Sequence, residues 1–181
     1  MTFEELCDSK QDQEPTLRHY QLKDIPLMAA LVEKYVPELP NYDGITIDKE
    51  RVAYLLRQHA TNSQSFACWL LVNSDDQPVG GLAAQILASF LTHDKIASDN
   101  FLFVLPGWRT LKNANLLMKA YKDWAVAMGC ILTRGSCVGG YEPDAMDIFM
   151  KRNGFKPIGS IYAIRNDNTY LLKQLNALKG K

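Results

Sequence analysis

The spacing of apolar positions changes several times along the chain, and each change marks an element. Ile25, Met28, Leu31, Val32 and Tyr35 recur at helical intervals after the helix-starting pair Asp24 and Pro26, until Pro37 and Pro40 stop the run. Val52, Leu55 and Leu56 share one face of a second, shorter helix beginning near Asp48. The segment between the two, ELPNYDGIT, is a loop of turn residues.

The period then shortens to that of strands. Phe66 to Val72 is a continuous apolar run, Asn73-Ser74-Asp75-Asp76-Gln77 is turn chemistry, and Val79 to Phe90 is a second run after Pro78, which together predict a hairpin. Gly80-Gly81 inside the second arm predicts a bulge or a close backbone approach, with plain hairpin packing the alternative, because glycine weakens a strand unless such geometry uses it. After the His93-Asp94-Lys95 loop, Asn100–Leu105 is a third strand. A helix from Lys112 to Met128 carries Leu116, Leu117, Ala120, Tyr121, Trp124 and Met128 on one face and stops at Gly129. Cys130–Val138 reads as a strand, Gly139-Gly140 as a break, and Asp144–Asn153 as a helix closed by Gly154. Short strands are expected at Lys156–Ile158 and Ile161–Arg165, and a terminal helix at Tyr170–Leu178. That order predicts an α/β fold, a mixed sheet with helices on both faces.

Composition narrows the classes. A chain of 181 residues suits one domain with a full core, and 47% hydrophobic against 22% charged residues argues for a folded protein. Lys+Arg and Asp+Glu balance at 20 each, so no positive field gathers phosphate backbones and a nucleic-acid partner is disfavoured. Cys7, Cys68, Cys130 and Cys137 form no CxxC or Cys/His ligand spacing, which fits reduced thiols in a cytoplasmic compartment and gives no support to a metal site. No run approaches the ~20 apolar residues of a membrane span, and MTFEELCDSKQDQEP has no apolar leader core. The expectation is a soluble, cytoplasmic protein with no membrane partner.

Candidate chemistry gathers at Phe101-Leu102-Phe103-Val104-Leu105-Pro106-Gly107-Trp108-Arg109 and the following Thr110-Leu111-Lys112-Asn113-Ala114-Asn115. A strand broken by Pro-Gly, a basic turn and a polar-capped helix can turn backbone N–H groups toward an anion. Asp99 at the head of that strand, Glu142 beyond the next one and Tyr141 read by themselves as solvated, capping or loop residues. His19, His59 and His93 fall in unrelated contexts, and Ser136, though preceded by Gly135, lacks a nucleophile elbow.

Three motifs in order resemble the GNAT superfamily of acyl-CoA-dependent N-acyltransferases. Phe103-Val104-Leu105-Pro106-Gly107-Trp108-Arg109 is similar to the end of its fourth strand and start of its cofactor loop; Leu116-Leu117 through Trp124-Ala125 to the next helix; Phe149-Met150-Lys151-Arg152-Asn153-Gly154-Phe155 to a helix ending in Lys-x-x-Gly-Phe. The resemblance implies a twisted, predominantly antiparallel sheet with a central parallel pair splayed apart. It divides the chain into an N-terminal arm (1–15), a GNAT-like domain (16–166) and a C-terminal helical extension (167–181). It also implies acetyl-CoA as co-substrate, without metal, bound by the strand backbone at Phe103, Val104 and Leu105 and by Arg109, Thr110, Leu111, Lys112, Asn113, Ala114 and Asn115. Tyr141, Glu142 and Asp99 would then be the catalytic candidates, acting on a small-molecule or protein amine. The family's acceptor pocket falls on Asn41-Tyr42-Asp43 and the region around Tyr162, where Asp43 and Glu38 would draw a cationic amine.

Two departures put activity in question. Lys112 stands where the family has the first glycine of its loop, so its side chain either blocks pyrophosphate or pairs with it. Met150 stands where many members carry a tyrosine that protonates the leaving thiolate. These departures motivate an alternative, a catalytically inactive GNAT-fold binding or structural module. Ala97-Ser98-Asp99, Phe103-Val104, Arg109 and Gly159-Ser160-Ile161-Tyr162 also look similar to phage-encoded GNAT-like proteins, which brings in a virion-associated assembly beside a homodimer.

Overall fold

The structure is a computed structural model that describes residues 14–36, 46–89, 91–136 and 143–159. Its strands form one sheet in the order β1 (Thr16–His19), β2 (Phe66–Val72), β3 (Pro78–Ala88), β4 (Lys95–Val104) and β5 (Cys130–Arg134). The first three pairings are antiparallel and β4–β5 is parallel. Among the described residues four α-helices accompany the sheet: α1 (Ile25–Tyr35), α2 (Lys49–Thr61), α3 (Leu111–Ala127) and α4 (Pro143–Arg152). The element order implied a mixed sheet and the GNAT resemblance a mostly antiparallel one with a parallel pair, and the structure has both.

Strand alternation sorts the core into two layers. Phe66 meets His59 of α2 with ring centroids 4.9 Å apart, whereas Trp69 meets Trp124 of α3 at 5.9 Å. Residues three apart on a strand face opposite sides, so α2, with α1 packed on it, covers one face and α3 covers the other. Leu70, Leu71, Leu82, Leu117 and Tyr121 are fully buried, each worth on the order of 2 kcal/mol of transfer free energy.

Local chemistry sets the element ends. Asp48 caps α2 by accepting from the Arg51 amide at 2.9 Å, and Pro26 sits in the first turn of α1. In the β2–β3 hairpin, Asn73 Oδ1 accepts from the amides of Asp75 (3.0 Å) and Gln77 (2.9 Å), while Asp76 takes a positive φ of 58°. The Asx geometry is what the turn chemistry of the sequence predicted.

The Gly80-Gly81 pair is a close approach. A Cβ on Gly81 would lie 2.9 Å from Phe103 Cε1, 3.0 Å from Leu70 Cδ2 and 3.2 Å from the Trp69 carbonyl. Alongside it, Val79 is the extra residue in the β2–β3 register, since Leu71 faces Gly80 and Val72 faces Pro78.

Three expectations need correction. β1 was not foreseen: TLRH is too short to show a period, and it is held by pairing with β2 and by Arg18, which donates to both oxygens of Asp24 at 2.8 Å. β4 begins at Lys95 rather than Asn100, because Ser98 and Asp99 resemble turn residues yet continue the ladder with β3. Lys156–Ile158 forms no strand with any described residue. Phe90, Cys137–Val138, Ile161–Arg165 and Tyr170–Leu178 lie outside the described residues.

Candidate active site

β4 and β5 run together only briefly. Their ladder ends at Ser98 and Arg134, after which β4 continues alone to Val104 and a fork opens. Asn100 marks the apex on β4 as a bulge, since Ala84 faces Asp99 while Ala83 faces Phe101. A bulge bends and twists its strand, which carries β4 away from its parallel partner.

Side chains pin the apex on the β5 side. The Ser136 amide donates to the two carboxylate oxygens of Asp99 at 2.9 and 3.1 Å, and the Ser136 hydroxyl donates at 3.1 Å. Burial pushes the Asp99 carboxyl above its ordinary range, against the downward pull of the Ser136 N–H and O–H. Tyr121 of α3 donates its hydroxyl to the Arg134 carbonyl at 2.6 Å. Asp99 thus sits beside the opening, buried and engaged.

Beyond the apex the backbone of β4 has no strand partner along one edge among the described residues. Leu105 donates its amide to the Val79 carbonyl at 2.9 Å, so Phe101, Phe103 and Leu105 turn their peptide groups to β3. Leu102 and Val104 turn theirs to the open side. The Val104 carbonyl accepts from Arg109 Nε at 2.9 Å. Val104 N–H and both peptide groups of Leu102 face the fork.

The turn that follows is rooted in the core. Pro106–Trp108 forms a single 3-10 turn, Trp108 is buried, and its carbonyl accepts from the Thr110 amide (2.9 Å) and from Asn113 Nδ2 (2.8 Å). Thr110 caps α3 by accepting from the Asn113 amide at 3.1 Å. The amides of Leu111 and Lys112, in the first turn of α3, have no partner within the helix. They follow directly on the turn that ends β4.

The predicted cofactor residues are therefore brought together, with different duties. Phe103, Val104 and Leu105 form the strand edge, and Arg109 through Lys112 form the turn and helix start. Asn113 is buried in its bond to Trp108, Ala114 packs on the core, and Asn115 Oδ1 accepts from Asn153 Nδ2 at 2.9 Å. Lys112 is exposed and ion-paired with Glu14. Tyr141, Glu142, Glu38, Asn41–Asp43 and Tyr162 lie outside the described residues. Met150 is a core residue; its Sδ and Cε lie 3.0 and 2.8 Å from where a Cβ on Gly135 would stand. Among the described residues no cluster of His, Cys, Asp and Glu is arranged to hold a metal ion, and no helix is long and apolar enough to cross a membrane.

One contact at the apex was not legible in the sequence. His59 of α2 and Asn100 of β4, 41 positions apart, meet at 3.0 Å between Nε2 and Nδ2. Burial holds the His59 imidazole below its ordinary range, while its bond to the Leu55 carbonyl pulls the other way. No periodicity or motif joins these positions, because the bulge that brings Asn100 to α2 is a property of the ladder.

The fork, its open edge and the capped helix occupy the centre of a match to the model of the acetyltransferase (GNAT) family, which spans residues 28–155. The chain belongs to the GNAT family. A search of curated protein sequences finds no match. Solved structures share the GNAT fold at low identity. An aminoglycoside acetyltransferase from an uncultured soil metagenomic sample superposes with a TM-score of 0.64 at 19% identity, covering 86% of this chain and 100% of the other. AAC(6')-Iy, in complex with the bisubstrate analogue CoA-S-monomethyl-acetylneamine, gives 0.66 at 15% identity over 86% and 99%. Glucosamine-6-phosphate N-acetyltransferase from Arabidopsis thaliana gives 0.64 at 11% identity over 86% and 100%.

Proposed function

We propose that this GNAT-family chain is an acetyl-CoA-dependent N-acetyltransferase that passes the acetyl group directly to a substrate amine. The observation that carries this reading is the open edge of β4, which leads from the fork's apex to the first turn of α3. About five residues of strand, roughly 17 Å, separate the two ends, a span suited to an extended phosphopantetheine arm. Acetyl-CoA supplies an activated acyl thioester; the chain supplies its placement.

Val104 N–H and the peptide groups of Leu102 pair with the amide groups of the arm as a further strand would. The Leu111 and Lys112 amides, at the positive end of the α3 dipole, take the pyrophosphate. Lys112 adds a cation there by exchanging its exposed Glu14 partner for phosphate, a trade of one screened surface pair for another. Its presence in a glycine position is thus compatible with binding, and the inert alternative loses its main support.

Asp99, Tyr141 and Glu142 are the acid–base candidates. Asp99 is desolvated beside the apex, which raises its proton affinity, and it takes the ammonium proton through water. Tyr141 and Glu142 follow Ser136 in the chain and serve the leaving thiolate and the incoming amine. With Met150 in the core, the thiolate takes its proton from Tyr141 or water. The acceptor is a small-molecule or protein amine. Amino sugars are the first class to assay, since structural neighbours carry the names of aminoglycoside and glucosamine-6-phosphate acetyltransferases.

Isothermal titration with acetyl-CoA tests the reading. Saturable binding that weakens on Thr110→Ala is the expected result, and no binding at millimolar acetyl-CoA would sink it.

A further inference from the structure

The His59–Asn100 contact fixes the direction of an amide at the fork's apex. His59 Nδ1 lies 2.8 Å from the Leu55 carbonyl, and a carbonyl only accepts, so the proton is on Nδ1. In the neutral ring Nε2 then holds a lone pair, which calls for an N–H. Asn100 provides it from Nδ2 at 3.0 Å. The planar amide consequently turns Oδ1 the other way. Asn100 is exposed, and its Oδ1 has no partner among the described residues. The Phe66 ring packs edge-on to the imidazole at 4.9 Å and fixes its plane.

We propose that Asn100 binds the acceptor amine through Oδ1, and that His59 is the positioning residue that aims it. The proposal rests on the acetyltransferase reading above, which puts the thioester at the same apex. An amide oxygen accepts an N–H but does not take the proton. It therefore orients the nitrogen and leaves its lone pair for the thioester carbonyl, while deprotonation falls to another group. The class favoured is an amine with at least two N–H bonds before attack, one to be lost and one held by Asn100. Primary amines meet that requirement, and secondary amines meet it only as ammonium ions.

Steady-state kinetics with sisomicin, glucosamine 6-phosphate and spermidine as acceptors provide the test, with acetyl-CoA binding measured in parallel. Asn100→Ala should raise the acceptor KM about tenfold and leave the acetyl-CoA KM unchanged. His59→Phe, which keeps the ring and removes the acceptor nitrogen, should shift the acceptor KM the same way, and His59→Gln should restore part of it. An unchanged acceptor KM in Asn100→Ala, or an equal rise in both KM values, overturns the proposal. If acetyl-CoA binds but none of the three amines turns over, they are titrated into ¹⁵N-labelled protein. A shift of the Asn100 side-chain NH₂ signals supports the assignment, and no shift with any of them overturns it. Long-range ¹H–¹⁵N spectra of the histidines give a readout independent of cofactor. Neutral His59 protonated on Nδ1 at pH 7 is required, and the Nε2–H tautomer or imidazolium overturns the proposal even where acetyl-CoA binds. Absence of acetyl-CoA binding, with the Nδ1–H tautomer present, would instead remove the acetyltransferase reading on which the amine role depends, and the proposal with it.

Discussion

The two halves of β4 differ in how they are paired, and the difference shapes the candidate site. Lys95–Ser98 is paired on both edges, to β3 and to β5, whereas Asp99–Val104 keeps only β3 among the described residues. The first half is sheet on both sides, with one irregularity in its β5 ladder at Ile131. The second half exposes peptide groups of the kind that folded proteins usually cover, and here the bulge at Asn100, the Asp99–Ser136 contact and the Arg109 bond to the Val104 carbonyl shape that exposure. On the proposed reading, a binding edge arises by ending a ladder early, with few side chains dedicated to the ligand.

Breaking the β3 support of the open half should have the largest effect. Gly81→Val places atoms against Phe103, Leu70 and the Trp69 carbonyl, and we expect a loss of about 3 kcal/mol in urea unfolding. Breaking the apex should cost less. Asp99→Ala orphans the Ser136 amide, with an expected loss of about 2 kcal/mol and weaker acetyl transfer; the same unfolding assay and initial rates check both. Removing the α3 cap with Thr110→Ala should cost about 1 kcal/mol and lower acetyl-CoA affinity in titration calorimetry.

The smallest effect separates the two sides of the apex by sign. His59 has a folded pKa below its unfolded value of about 6.5, so between them the unfolded chain binds more protons. Stability falls as pH drops through that window and levels off below the folded pKa. Asp99 behaves oppositely. Its folded pKa lies above the unfolded value of about 3.9, so its contribution is full below that value and is lost as pH rises through the folded pKa. Urea midpoints between pH 4 and 7 should lose the first dependence in His59→Gln and the second in Asp99→Asn.

The sequence made the closed half harder to read than the open one. Phe101–Leu105 has an apolar run and a Pro-Gly stop, so its strand and turn were legible along with α3. Ile96–Asn100 mixes buried and polar residues because Asp99 is satisfied by Ser136, a partner 37 positions away that no local pattern reveals. β1 escaped for a related reason, since pairing with β2 and the Arg18–Asp24 bonds define it. The His59–Asn100 contact depends on a bulge, and a bulge is a mismatch between two strands. Lys112 and Met150 show the reverse case: their departure from the family pattern was visible at once, and their surroundings, an exposed pair with Glu14 and a packed core, were not.

Trp108 has a wider consequence. Its indole is buried while its carbonyl holds both the Thr110 amide and the Asn113 side chain, so the turn at the mouth of the fork and the interior of the domain form one cooperative unit. Any ligand gripping that turn adds its binding free energy to the native state alone, RT ln(1 + [L]/Kd). If acetyl-CoA binds there as proposed, its level would set how much of this chain stays folded, and mutations deep in the core would surface as losses of affinity.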